Sequence, residues 1–118
     1  MMAVLRKGDG RVVASDVEMA DSVVKQTLGL MFRKGISPGY AMVFDMRREQ
    51  YIGIHMAFVF FSIDLVYLDR ERRVVDIKRH LRPWIGIAFP RKRARYAIEM
   101  PAGTADRHQI REGDTLEW

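Results

Sequence analysis

The chain has 118 residues, enough for one hydrophobic core and too few for a multidomain architecture, so a single domain over residues 1–118 is expected. With 48% hydrophobic and 30% charged residues it has globular composition, which excludes wholesale disorder. The formal net charge is +5, and the absence of cysteine excludes disulfides, zinc–thiolate sites and thiol nucleophiles.

Met1 to Gly10 holds no apolar run of signal-peptide length, so a cytoplasmic location is expected. Met2 to Lys7 reads as a short strand closed by the turn Gly8-Asp9-Gly10. From Arg11 to Met19 the pattern alternates, with Val13, Val17 and Met19 on one side and Asp16 and Glu18 on the other. That is a half-buried strand, and the two segments form a hairpin. Asp21 and Ser22 are N-cap residue types, Val24 and Leu28 stand one helical turn apart, and Gly29 is a natural end for a short helix.

Gly35 and Ser37-Pro38-Gly39 make a loop before a strand from Tyr40 to Phe44, and Arg47-Arg48-Glu49 reads as a polar connection. The most hydrophobic stretch, Ile52 to Leu68, is shorter than the roughly 20 residues of a membrane span and carries His55 and Asp64. Its β-branched and aromatic content predicts strands, with a break near Ser62. Arg70-Glu71-Arg72 turns the chain into a strand from Val74 to Lys78. Pro83, Gly86 and Pro90 beside Trp84 and Phe89 predict an irregular loop with aromatic anchors from Leu81 to Pro90.

In the next strand Ala94, Tyr96, Ile98 and Met100 point one way, and Arg93, Arg95 and Glu99 the other. Thr104 is placed to cap a helical turn, and Gly113-Asp114 leads into a terminal strand ending at Trp118. The predicted fold is mainly β: a compact antiparallel sandwich or partly closed barrel of six to eight short strands with one or two short helices.

Five segments in order carry a family resemblance. They are Gly29-Leu30-Met31-Phe32-Arg33; Met42-Val43-Phe44; His55-Met56 through Ile63-Asp64 to Leu68-Asp69; Tyr96 to Gly103; and Ile110 to Asp114. From about Val17 to the C-terminus they resemble the domain-of-unknown-function family numbered 192. Many members of that family have Trp-Met-Lys-Asn where this chain has His55-Met56-Ala57-Phe58, and a proline where Ser62 stands. No role of that lysine or asparagine is carried over. The resemblance implies a compact, mainly β fold and no established activity, cofactor or catalytic residue.

Arg70 to Arg95 holds ten basic residues against Glu71 and Asp76, a net of +8, while the remainder holds ten basic and thirteen acidic residues, a net of −3. Arg91, Lys92, Arg93 and Arg95 are the candidate anion-binding residues, and Trp84, Phe89 and Tyr96 offer stacking faces. Possible partners are an anionic small molecule, nucleic acid or an acidic protein; the competing reading leaves the charges in water and the aromatics in the core. No nucleic-acid motif is present.

Arg33, His55, Asp64 and Glu99 form the candidate polar site, an acid–base site if strand pairing joins them. Each also has a structural explanation: His55 on an edge strand, Glu99 paired with Arg95 or Arg33, Asp64 accepting from backbone N–H groups, and Arg33 gripping Glu99 or Asp64 in a fork. Met31 and Phe32 read as core plugs. No His-x-His or His-Glu-x-x-His spacing is present, so no metal or other cofactor is expected.

The sequence therefore favours a binding or accessory module with a basic face. A small hydrolase or lyase using Asp64, His55 or Glu99, and a protein self-associating through Phe58 to Phe61, are the alternatives. It fixes neither the oligomeric state nor a ligand.

Overall fold

In the computed structural model, which describes residues 3–118, the period-two patterns become a strongly curled sheet. The elements are β1 (Ala3–Lys7), β2 (Val12–Ala20), α1 (Val23–Leu28), β3 (Tyr40–Gln50), β4 (Ile54–His55) and β5 (Ile63–Leu68). They continue with β6 (Val74–Leu81), β7 (Ile87–Ala88), β8 (Ala94–Pro101), α2 (Thr104–Arg107) and β9 (Leu116–Glu117). Met2, expected to begin the first strand, lies outside the described residues.

Seven strands join in the order β6-β5-β8-β3-β2-β1-β9, and β4 pairs with β7 in a separate two-stranded sheet. The edges of the large sheet approach each other. Arg73 bridges to Thr115, Val74 N–H donates to Asp114 O at 2.8 Å, and Leu116 N–H donates to Arg72 O at 3.0 Å. The result is a half-barrel, the partly closed form of the expected β architecture.

Two local features depart from the sequence reading. β2 and β3 run parallel, the one parallel pair among the described strands, because α1 and the loop after it carry the chain back to the end from which β2 started. And Arg47-Arg48-Glu49 is not a connection: β3 continues to Gln50 through an irregularity at Arg47, whose φ is 70°. Asp45 sustains that irregularity by accepting from Arg47 N–H at 2.8 Å while gripping Arg95 at 2.9 and 3.1 Å.

The curled sheet buries both faces, and each face has its own core. Inside the curl pack Leu5, Val43, Val66, Leu68, Ile98, Met100 and Leu116, with Val17 and Met19 against them as their alternation predicts. The outer face holds Met42, Phe44, Leu65 and Tyr67, covered by Leu30, Ile52, Met56 and Val59 from the long loops. The Tyr67 hydroxyl, wholly buried, donates to Ile52 O at 2.9 Å and so ties a covering loop to the sheet.

Asp64 is fully buried and is the polar pin between these layers. Its Oδ1 accepts from His80 N–H at 3.0 Å, and its Oδ2 from Gly103 and Ala105 N–H at 3.0 and 2.9 Å. Thr104, expected to cap α2, instead turns its hydroxyl to Pro101 O at 2.7 Å, and the capping carboxylate comes from β5. Removing it leaves three backbone N–H groups, one of them buried and two part-buried, without this partner. Asp64→Ala should therefore lower unfolding free energy by about 3–5 kcal/mol, measured by denaturant unfolding; a loss below about 1 kcal/mol would show that the pin is dispensable.

Candidate functional site

On the outer face of the sheet, the centre of β8 presents a carboxylate where its neighbours present hydrocarbon. Glu99 stands opposite Met42 of β3 and Leu65 of β5, in the middle of three adjacent strands. Only 5% of its surface is exposed. Above it lies a pocket of about 220 Å³, walled by Leu30, Phe44, Ile52, Ile54 and Val59, with Gln26 and His55 at its polar positions.

Gly29 ends α1 with φ 50° and ψ −122°, a conformation that side chains resist. A Cβ there would stand 3.5 Å from Glu99 Oε1 and 3.6 Å from Phe44 Cζ. Ser22 fixes the other end of this helix by accepting from Lys25 N–H at 3.1 Å. The short helix and its glycine thus carry the wall of the pocket close over the carboxylate.

Of the four candidate polar residues, Glu99 and His55 share this pocket. His55 is exposed at the rim, and its Nδ1 accepts from Ala57 N–H at 3.3 Å, leaving Nε2 to carry the proton in the neutral ring. Arg33 lines a smaller adjoining pocket of about 150 Å³ that shares Leu28, Gly29 and Met31 with the first. It does not grip Glu99 or Asp64. Its guanidinium donates to both oxygens of Glu18, at 3.0 and 3.2 Å, and to the Tyr40 hydroxyl at 3.1 Å; Tyr40 in turn donates to Glu18 at 2.7 Å. Asp64 lies on the opposite sheet face, beside Met100 in the register, and takes no part in the pocket.

Arg73, Lys92 and Arg93 line one shallow pocket and Arg79, Arg91 and Arg111 another, with Glu112 in both, and several basic side chains of the run meet carboxylates. Arg91 pairs with Asp76 and Glu112, and Arg95 with Asp45. Lys78 and Arg79 pair with Asp76 and Asp106, and the Arg72 guanidinium lies 4.0 Å from the Trp118 ring centroid. Lys92 and Arg93 make no ion pair among the described residues, although Arg93 covers the Tyr51 ring. Tyr96 is buried against Trp118, whereas Trp84 and Phe89 are exposed. Phe32, expected in the core, is also exposed and meets Phe58, which meets Trp84, at centroid distances of 5.1 and 5.2 Å.

Burial pushes the Glu99 carboxyl up to about 7, with only the positive field of Arg33 opposing it. Hydrogen bonds from Tyr40 and then Arg33 hold Glu18 below its ordinary value. Two carboxylates within one neighbourhood are thus driven in opposite directions, one by its partners and one by its lack of them. No group of three or more His, Asp or Glu among the described residues is placed to hold a metal ion.

The half-barrel, the small β4–β7 sheet and the pocket over Glu99 define a small, mainly β protein with a carboxylate at the floor of an apolar-walled pocket. The chain belongs to the DUF192 family, described as "Uncharacterized ACR, COG1430", whose profile matches residues 4–118. The match includes the N-terminal hairpin as well as the segments that carried the resemblance. A UPF0127 protein of Pyrococcus horikoshii is 44% identical over 105 residues, covering 87% of each chain, and one of Pyrococcus abyssi is 40% identical over 104 residues, covering 86% of this chain and 85% of its own.

Two crystal structures share the fold with TM-scores of 0.86. One, from Sinorhizobium meliloti 1021, carries the name of a candidate transcription regulator; it is 26% identical and covers 97% of this chain and 89% of its own. The other, a protein of unknown function from Novosphingobium aromaticivorans, is 25% identical and covers 98% and 82%. No helix among the described residues is long and apolar enough to cross a membrane.

The elevated Glu99 carboxyl makes stability fall with pH. The unfolded side chain releases its proton near 4.5 and the folded one near 7, so between these values the native state holds the extra proton. This contribution is present below pH 4.5 and is lost as pH rises to 7, an effect of about 3 kcal/mol. Denaturant unfolding of Glu99→Gln at pH 5 and pH 8 should show that fall abolished. An unchanged difference between the two pH values would place the effect elsewhere.

Proposed function

We propose that the protein is a binding module that takes a small, mostly apolar molecule into the pocket over Glu99. The observation that carries this reading is a nearly buried carboxylate at the floor of an apolar cavity, with no bonded partner among the described residues. Burying a carboxylate is costly unless something answers it, and a sheet interior usually avoids the cost with hydrocarbon. A ligand-binding role supplies the reason for keeping Glu99 there. Convergence of a few polar groups on an apolar cavity is the usual form of a small-molecule site.

The anionic-partner reading has less to stand on. Arg91 and Arg95 already face carboxylates of the chain, which leaves Lys92 and Arg93 as the free part of that candidate cluster. An enzymatic reading keeps one specific support: His55 and Glu99 line the same pocket, and Glu99 titrates near neutrality, where a general base works best. Asp64 drops out of that reading because its carboxylate is occupied by three backbone donors. The self-association reading rests on Phe58 to Phe61, of which Phe58 and Phe60 are exposed and Val59 is buried, with Phe32 and Trp84 exposed beside them.

The binding reading is tested by filling the cavity from its rim. Ile54→Trp places an indole where β4 forms the wall. Apolar fragments at millimolar concentration should shift the methyl resonances of Met31 and Met46 in the native protein and not in this variant. Equal shifts in both proteins, or none in the native one, would contradict the proposal. A ligand at about 100 times its dissociation constant should also raise stability by roughly 2.7 kcal/mol, visible as a higher melting temperature.

A further inference from the structure

The Glu99 carboxylate has no hydrogen-bond partner among the described residues in the walls of the pocket. Among the described residues, no side-chain oxygen that is fully closed off lacks a partner, so the unbonded Glu99 carboxylate opens onto the cavity. The cation whose field reaches it, Arg33, is already held by Glu18 and Tyr40. On the sheet beside Glu99 stand only Met42 and Leu65. The site therefore has a place for one positive charge and a half-open, mostly apolar cleft for what is attached to it.

Three kinds of head group can meet such a floor. An alcohol bonds to the carboxylate but leaves its charge uncompensated. A second carboxylate is repelled unless a proton is taken up. An ammonium both donates hydrogen bonds and neutralises the charge, and charge-assisted bonds of this kind are about twice as strong as neutral ones. Size narrows the remainder of the ligand. A cavity of about 150 Å³ accepts benzene, so about 220 Å³ admits a ring or short alkyl chain with a short arm. Near the pocket, Phe32 and Phe58 follow and precede the lining residues Met31 and Val59 and expose ring surface, which also attracts cations.

Building on the pocket reading above, we infer that the ligand is a small apolar amine, bound as its ammonium against the Glu99 carboxylate. The other charged or titratable groups around the site are His55 on β4, Arg33 after α1, Glu18 and Lys25 across Gly29, and on β5 the Tyr67 hydroxyl, whose proton the Glu99 charge helps to hold; the residues paired directly with Glu99 on β3 and β5, Met42 and Leu65, carry no charge. Binding an ammonium requires the ionised floor, so it releases a proton when the empty site holds one.

Three matched probes, benzylamine, benzyl alcohol and benzoate, test this with the intact protein by methyl NMR and calorimetry. Benzylamine should bind at least ~10-fold more tightly than benzyl alcohol at pH 8, and benzoate more weakly than either. Between pH 5 and 7 the benzylamine affinity should rise by up to ~10-fold per pH unit and then level off, with proton release seen as a buffer-dependent heat. His55→Gln should keep that profile; a profile that His55→Gln removes would assign the titration to the histidine and overturn the inference. Glu99→Gln, checked for folding by thermal unfolding, should lose the amine preference while still admitting benzyl alcohol.

An amine preference that survives Glu99→Gln, or an affinity that falls as pH rises, would overturn the inference. Binding of benzyl alcohol alone would overturn it and leave the pocket reading standing. Failure of all three probes at millimolar concentration would overturn both.

Discussion

The Asp64 carboxylate is buried without residual exposure and accepts from the backbone of His80, Gly103 and Ala105. These three donors belong to the far end of β6, the exit from β8 and the start of α2, so one side chain fixes three pieces of chain relative to β5. Side chains in a strand alternate between faces, and a slip of one residue would exchange the two cores. With Asp64 held inside the curl, Leu65 must face outward, and its partner in the register, Glu99, faces outward with it. The carboxylate that pins the fold thereby dictates where the other carboxylate points.

The two acids illustrate how one residue type is put to different uses by its surroundings. Asp64 is surrounded by donors and has no room for a ligand. Glu99 has hydrocarbon on both neighbouring strands and a cavity in front. The outer core could have been closed over it by a larger residue at the end of α1, but Gly29 stands there and its conformation suits glycine alone. Nearby, Glu18, Tyr40 and Arg33 satisfy one another, which keeps Arg33 from quenching the charge at the pocket floor. Part of the basic run is absorbed in a similar way, three of its ten members meeting carboxylates brought from distant parts of the chain: Asp45 to Arg95, Asp106 to Arg79, Glu112 to Arg91.

Much of the fold was legible because strand alternation is a local signal. Val13, Val17 and Met19 on β2, and Tyr96, Ile98 and Met100 on β8, pack on the inner core as their spacing required. Ser22 and Gly29 bound α1 as their residue types foretold. Thr104 misled because the true cap of α2 comes from Asp64, 41 positions from the Ala105 N–H it holds, and no local pattern reveals such a donor set. Arg47 misled because a charged run resembles a turn, whereas here an irregular β3 carries it through.

Legibility of the site was lower. Glu99 could be singled out as a charge embedded in an apolar strand, and His55 as a histidine in a hydrophobic stretch. Their meeting depends on β4 being folded over the outer face by loops from 51 to 62 and 82 to 93, which periodicity does not encode. Glu18 as the partner of Arg33 was missed for the same reason: the pair forms through the parallel β2–β3 arrangement and the loop following α1. The segmental charge of +8 was correctly counted yet said little about any face, because charge along a sequence is not charge over a surface.

Register places Glu99 as a carboxylate without a bonded partner among the described residues, at the floor of an apolar-walled pocket, and a titration of its side-chain carboxyl by ¹³C NMR in the ligand-free protein tests this directly. The midpoint should fall at about 7, raised by burial. A midpoint at or below the ordinary glutamate value of 4.5 would contradict it, since it would mean that Glu99 is solvated or already paired.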